Sequence, residues 1–294
     1  MPNRALPAVA LLHQGAITLF DCGEGTQFQL LRAGLSAHKI ACICISHLHG
    51  DHLFGLPGLL ASQTLMCRTS PLHLVGPSGL GDYLHLCQRL TGTSPSFGLS
   101  ITEIGPGQDH MRVRLRKATL DVRPLDHTSF CLGFRFLEDD HPGKFDVDAA
   151  TRLDIPAGPQ RAALVRGEAV ILPNGRLVLP EGVVGPPRPG RKIAYCVDTR
   201  PCASALQLAE EADVLIHDAT FAADEEERAL ATGHSTARQA AEIAAQARVR
   251  RLFLTHISAR HTNDVSPLVK ESQALFPAAE VARDFMSADV ARRE

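Results

Sequence analysis

The sequence predicts an α/β fold in which two facing sheets are covered by helices, and three observations predict it. Short apolar runs of strand length alternate with amphipathic stretches of helical length, and they do so in two halves of the 294-residue chain. A Pro- and Gly-dense stretch, residues 138–190, separates the halves and interrupts the pattern. Side chains able to ligate metal stand just beyond several of the apolar runs, where a sheet presents groups from a rigid support. No fixed-period repeat of the solenoid kind is present.

Taken in order, Ala8 to Leu12 and Ala16 to Phe20 predict two strands joined as a hairpin through His13-Gln14-Gly15. Asp21-Cys22-Gly23-Glu24-Gly25 predicts a tight turn, after which Thr26 caps a short helix through Leu31, ended by Gly34. Ile40 to Ile45 is apolar throughout and predicts a buried strand. Leu72 to Val75 predicts another, with Gly76-Pro77-Ser78 turning into a helix through about Leu90. Residues 99–137 alternate short apolar runs, one of which ends at Leu125-Asp126-His127.

Residues 138–190 predict an inserted arm standing off an otherwise single domain that spans 1–294. Ala169 to Leu172 and Leu177 to Leu179 flank Pro-Asn-Gly-Arg, a hairpin signal that argues against a disordered linker. The main pattern resumes with a strand from Lys192 to Val197 ending at Asp198, a helix from Ala203 to Glu211 and a strand from Val214 to His217. Gly233-His234-Ser235-Thr236 leads into a helix through about Ala247. Leu252 to Thr255 predicts a strand ending at His256, and Ser266-Pro267 opens the last helix with proline at its favoured position.

Apolar residues make up 45% of the chain, ample for a large core, and aromatics only 5% with no Trp, so that core is built from Leu, Val, Ile and Ala. A net charge of −2 excludes a uniformly basic nucleic-acid binder; any such contact is a local patch. Of the 30 basic residues 25 are Arg. Guanidinium grips phosphate bidentately, but genome base composition gives the same bias and is the simpler explanation. Eight cysteines without a C-x-x-C pair predict buried free thiols in a reducing compartment, the cytoplasm. Ala5 to Leu12 is too short, and contains Pro7, to be a signal sequence or membrane span.

The chemistry concentrates in Ser46-His47-Leu48-His49-Gly50-Asp51-His52, which holds three imidazoles and a carboxylate. Imidazole suits zinc and similar divalent ions, and a carboxylate adds a hard oxygen ligand. His47 and His49, two apart, face one metal from an extended segment; Asp51 and His52, past a glycine turn, face elsewhere. That split suits two ions close together, as in the in-line hydrolysis of phosphodiesters. A polar surface loop would explain one histidine better than it explains this run at a strand end. His127, Asp198 and His256, each just past an apolar strand, complete five His and two Asp, with Asp198 as the natural bridge. His234, at a helix start, is the candidate general acid for the leaving oxygen, and Asp218 the candidate holder of its other nitrogen. Asp126 reads as either a supporting partner or a surface charge. His13, His38, His73, His85, His110 and His141 have no supporting neighbours in sequence.

Ser46 to His52 resembles the signature of the metallo-β-lactamase superfamily. Phe20-Asp21-Cys22-Gly23-Glu24-Gly25-Thr26-Gln27, Leu56-Pro57-Gly58-Leu59-Leu60, Gly233-His234-Ser235-Thr236 and Thr255-His256-Ile257-Ser258-Ala259-Arg260 resemble its bacterial tRNase Z (ribonuclease Z, or RNase BN) branch. The resemblance runs from about residue 3 to nearly the C-terminus. It implies an αββα sandwich with a protruding tRNA-binding arm, and a homodimer in which the arm of one subunit presents precursor tRNA to the other. It implies two Zn2+ per subunit, with Mn2+, Co2+ or Mg2+ as substitutes: His47, His49 and His127 on one, Asp51, His52 and His256 on the other, Asp198 between them. It implies Asp51 as catalytic proton acceptor. Gly158 and Pro159 of the arm, with Ser258 and Arg260, would contact substrate. The implied reaction is endonucleolytic removal of the 3′ trailer from precursor tRNA, with neither DNA nor membrane as partner.

Three departures accompany the resemblance. The family begins with an extra strand and a Gly/Ser-rich loop ending in proline, and this sequence starts beyond them, near Asn3-Arg4. The expectation is an unpaired sheet edge and a less supported metal loop. Asp218 stands in His217-Asp218-Ala219-Thr220 where the family has glutamate, so a looser hold on His234 is expected. His261 stands where a tyrosine commonly follows the arginine matching Arg260. Two other readings stay open from sequence: a thioester, lactam or small-phosphodiester hydrolase on the same fold, and an inactive RNA-binding relative.

Overall fold

In the computed structural model, which describes residues 4–261 and 263–292, the chain forms two sheets face to face with helices on both outer surfaces. Strands β1 (Val9–His13), β2 (Ala16–Phe20), β3 (Ile40–Cys44), β4 (Leu72–Pro77) and β5 (Leu99–Ile104) follow one another across the first sheet. Only the β1–β2 hairpin is antiparallel. Helices α1 (Thr26–Arg32), α2 (Gly50–Leu53), α3 (Gly55–Leu65) and α4 (Leu80–Thr91) intervene. Gly25, with φ 82°, is the N-cap of α1; Thr26 lies one position inside the helix and its hydroxyl donates back to the Gly23 carbonyl. The cap is therefore the glycine rather than the threonine, because the tight turn needs a left-handed residue there.

Strands β6 (Met111–Leu115), β7 (Ala118–Leu125) and β8 (Cys131–Glu138) begin the second sheet as an antiparallel meander. Residues 139–190 then carry α5 (Val147–Arg152), α6 (Pro159–Val165) and the paired β9 (Val170–Ile171) and β10 (Leu177–Val178). Strand β11 (Lys192–Cys196) returns beside β8. Helix α7 (Ala203–Ala209), β12 (Val214–Asp218), α8 (Glu226–Thr232), α9 (Ala237–Gln246), β13 (Arg251–Thr255), α10 (Ser266–Leu275) and β14 (Ala279–Val281) complete the chain. The seven strands run β14-β13-β12-β11-β8-β7-β6, the last four in the chain being parallel.

Strand periodicity explains the layers. In β11, Ile193 and Tyr195 enter the core between the sheets, while Ala194 and Cys196 join the core under α7, α9 and α10. In β3, Cys42 and Cys44 face the other sheet and Ile43 faces the leucines of α3. A strand buried on both faces reads as one continuous apolar run, which is why Ile40 to Ile45 shows no alternation. Small Ala side chains in α9 let that helix lie close on the sheet.

The 139–190 segment has its own small core of Ala149, Ala150, Ile155, Leu164, Leu172, Val178 and Val183. Its root is fixed by Glu138, whose carboxylate accepts from Arg191 Nε at 2.6 Å and Nη2 at 2.8 Å. His13 Nε2 lies at 3.0 Å and His141 Nε2 at 3.1 Å from the same carboxylate. His13, without a supporting neighbour in sequence, finds one in space, whereas the neighbour of His141 stands three positions before it.

Candidate metal centre

Four of the seven candidate ligands sit where a strand gives way to a loop on one edge of the sandwich. Ser46 and His47 follow β3, His127 follows β7, Asp198 follows β11, and His256 follows β13. Asp198 (φ 52°) and His256 (φ 57°) adopt the left-handed conformation, as does Asp21 (φ 58°) after β2. The turn this imposes swings the next peptide away from the strand; non-glycine residues held there are uncommon and concentrate at functional sites. Asp51 and His52 lie in α2, so Gly50 opens a helical turn instead of a loop. A Cβ at Gly50 would fall 2.4 Å from the Phe54 ring.

The structure brings all seven together. Ligating atoms of His47, His49, His127 and Asp198 lie within 4.8 Å of one another, as do those of Asp51, His52 and His256. Asp198 stands between the groups, its Oδ2 3.7 Å from His47 Nε2 and 3.4 Å from His52 Nε2, its Oδ1 3.4 Å from His256 Nε2. Asp51 Oδ2 is 3.5 Å from both His52 Nε2 and His256 Nε2.

Three buried atoms test whether a cation belongs here. His47 Nε2, His52 Nε2 and Asp198 Oδ1 lack hydrogen-bond partners among the described residues. Each such atom left bare costs about 1–3 kcal/mol, and all three face the same small volume. Burial, helped by the neighbouring His52, pushes His47 down to about 3, so its ring is a neutral donor. The facing imidazoles of His256 and His52 hold Asp51 well below the usual carboxylate range. Burial opposes protonation of His52, yet Asp21, Asp198 and Asp51 outweigh it and raise that group well above its ordinary value. Imidazoles and carboxylates converging in this way fit a divalent metal.

The far nitrogens of these rings are engaged behind the site, which orients ligating histidines. His52 Nδ1 is 2.7 Å from Asp21 Oδ2, His47 Nδ1 is 3.0 Å from Ser46 Oγ, His127 Nδ1 is 2.7 Å from the Gly233 carbonyl, and His256 Nδ1 is 3.0 Å from Thr220 Oγ1. Asp21 is wholly buried and also accepts from Ser46 N, Ser46 Oγ and Tyr195 OH. The sequence alone puts Asp21 in a turn and gives Tyr195 and Thr220 no distinguishing mark. Asp21 ends an apolar strand, the same position that singled out Asp198 and His256, and that signal would have found it. Tyr195 reaches Asp21 from the opposite sheet, a proximity that no local pattern carries.

His234 borders the centre, its ring stacked on His256 with centroids 5.1 Å apart. Its Nδ1 lies 2.8 Å from Asp218 Oδ2, so the shorter acid makes the contact after all; β12 carries Asp218 itself, close enough that no longer side chain is needed. Ser258 is half-buried and donates its backbone N–H to the Thr220 carbonyl. Arg260 is exposed, 3.9 Å from Glu225, which also pairs with His261 at 2.7 Å. Asp126 pairs with Arg200 at 2.9 Å, outside the cluster. Gly158 and Pro159 lie in the 139–190 segment, exposed at the start of α6, and are not among the clustered residues.

Residues 180–257 match the profile of a β-lactamase superfamily domain, and residues 8–96 match that of the anti-Pycsar protein Apyc1. The chain is 45% identical to a ribonuclease Z of Salinibacter ruber, over 99% of this chain and 91% of that one. It is 42% identical to a ribonuclease BN of Cronobacter sakazakii, over 95% and 91% respectively. Its structure is similar to that of human tRNase Z, short form, with TM-score 0.70 and 28% identity over 99% of this chain and 95% of that one. A diphosphatase of the PhnP family, 18% identical with TM-score 0.60, shares the fold.

Proposed function

The chain belongs to the ribonuclease Z family, and on that premise we propose that it is a zinc-dependent endoribonuclease that removes the 3′ trailer from precursor tRNA. The observation that carries the reading is the convergence of five imidazoles and two carboxylates, with unpartnered buried polar atoms facing inward, beside a histidine held by its own carboxylate. His47, His49 and His127 would hold one Zn2+, Asp51, His52 and His256 the second, and Asp198 both. Two such ions supply Lewis-acid activation of water near neutral pH and offset charge on the phosphodiester.

The residues of the chain do the rest. Asp51, whose Oδ2 lies 3.5 Å from His52 Nε2 and from His256 Nε2, would accept the proton released by the attacking water. His234 engages Asp218 through Nδ1, which leaves Nε2 to deliver a proton to the leaving oxygen. Asp218 fixes the orientation of that ring. Ser258 and Arg260, on the loop after His256, are the nearest candidates to position the tRNA end.

The 138–190 segment is read as the arm that holds the body of the tRNA, with Gly158 and Pro159 at its contact surface. It carries six Lys or Arg against eight Asp or Glu, so its grip is one of shape and local guanidinium contacts rather than overall field. A homodimer belongs to the same reading. Helices α1 and α3 pack on each other and leave Phe28, Leu31, Phe54, Leu65 and Met66 exposed, apolar area that a second subunit would cover. Among the described residues no helix is long and apolar enough to cross a membrane, and all eight thiols are free, in keeping with a reducing cytoplasm. The test is cleavage of a precursor tRNA and of a glutathione thioester, each with and without chelator. Chelator-sensitive release of the 3′ trailer is expected, and turnover of the thioester alone would overturn the assignment.

A further inference from the structure

Thr220 lies two residues past Asp218, where β12 turns away beneath the centre, and its hydroxyl joins three functional groups. Its Oγ1 is 2.6 Å from Asp218 Oδ1, 3.0 Å from His256 Nδ1 and 3.3 Å from His234 Nδ1. A hydroxyl has one hydrogen to give. Asp218, buried and flanked by donors, only accepts: its Oδ2 takes His234 Nδ1 at 2.8 Å and the Thr199 N–H at 3.1 Å, and its Oδ1 takes the Thr220 N–H at 2.9 Å. The hydroxyl hydrogen therefore points to Asp218 Oδ1. The Thr220 oxygen is then an acceptor, and the group it faces is His256 Nδ1.

That polarity has a consequence for His256. A proton on Nδ1 leaves Nε2 with a free lone pair, and Nε2 is the atom turned toward Asp51 Oδ2 and Asp198 Oδ1. We propose that Thr220 is a positioning residue: its hydroxyl sets the tautomer and orientation of His256 for metal binding. It thereby ties that ligand to the carboxylate that holds His234. The inference rests on the reading that His256 is a metal ligand. One buried carboxylate thus orients the candidate acid directly and a candidate ligand through one hydroxyl. The backbone of Thr220 is anchored independently, by its own N–H to Asp218 and by Ser258 N to its carbonyl at 3.1 Å. The β-branch limits χ1, so the hydroxyl is held without help from solvent. Valine at this position keeps the shape and removes only the relay.

The experiment compares full-length wild type, Thr220→Val and Thr220→Ser. Each metal-free chain is checked by its thermal transition and then titrated with Zn2+ against a chromophoric chelator. Wild type taking up two equivalents upholds the reading on which the inference rests; wild type taking up none removes that reading, whatever the variants do. Given two equivalents, Thr220→Val is expected to weaken one of them by about 10–100-fold and leave the other unchanged, with Thr220→Ser within about threefold of wild type. Both equivalents retained at wild-type affinity in Thr220→Val would overturn the inference alone. Should the valine variant fail to fold, imidazole 15N spectra of the zinc-loaded wild type decide: His256 protonated at Nδ1 and ligating through Nε2 is expected, and the reverse overturns it.

Discussion

Asp21→Asn tests how far the centre depends on what lies behind it. The carboxylate accepts Ser46 N at 2.7 Å on Oδ1, and Ser46 Oγ at 2.9 Å, Tyr195 OH at 2.7 Å and His52 Nδ1 at 2.7 Å on Oδ2. Asparagine keeps the shape, and with its oxygen at Oδ1 it keeps the Ser46 N–H. Its NH2 then occupies the position of Oδ2. The two hydroxyls can turn to accept from it, but His52 Nδ1–H cannot. Either that contact is lost, or the proton moves to Nε2, the atom aimed at the cluster, and blocks its lone pair. Removing one partner of a buried ion pair costs about 3–5 kcal/mol of stability, and loss of a ligand's support costs roughly 10–100-fold in metal affinity. Tyr195→Phe removes one of the four bonds and leaves the charge, so a smaller loss of about 1.5–3 kcal/mol is expected, with metal affinity little changed. Urea unfolding of the metal-free chains measures the first quantity and chelator competition the second. An asparagine variant within about 1 kcal/mol and about threefold of wild type on both would refute the argument, since the buried His52 contact cannot be lost, and the other bonds made neutral, at so small a cost.

Asp51→Ala is expected to abolish cleavage of precursor tRNA while binding persists, measured by gel shift; lost binding would show that its role lies with substrate. Replacing residues 140–189 by a short Gly-Ser linker is expected to preserve metal uptake and hydrolysis of a small phosphodiester but to lose tRNA, and unchanged tRNA affinity would remove the arm assignment. Chelation is expected to stop cleavage and lower the thermal midpoint, because a metal that binds only the folded chain stabilises it by mass action; an unshifted midpoint would mean that no cation is held in the fold. Hydrogen bonds from Arg191 hold Glu138 well below the usual carboxylate range. The stability it contributes is therefore complete above its unfolded value of about 4.3 and fades as pH falls through the folded value. The gap in urea midpoint between wild type and Glu138→Gln should shrink below about pH 4, and a gap independent of pH would contradict the assignment.

The sequence by itself determined the elements and singled out the candidate ligands that the fold brings together. Ile40 to Ile45, Ile193 to Val197 and Leu252 to Leu254 are apolar because strands covered on both faces must be, and His47, Asp198 and His256 stand just beyond them because strand ends are where polar groups can reach a shared edge. Local pattern also marked off residues 138–190, whose Pro and Gly exclude them from the main sheets, though not the small core they form. Only the tertiary structure decided how the candidate ligands are held. Tyr195 meets Asp21 across 174 positions of chain, and Thr220 meets His256 across 36. Glu138 gathers His13 and Arg191 from two distant segments. Periodicity records which face of a strand is buried, a property of one segment. Which donor meets which acceptor depends on how two sheets register against each other, a property that exists only once the chain has folded.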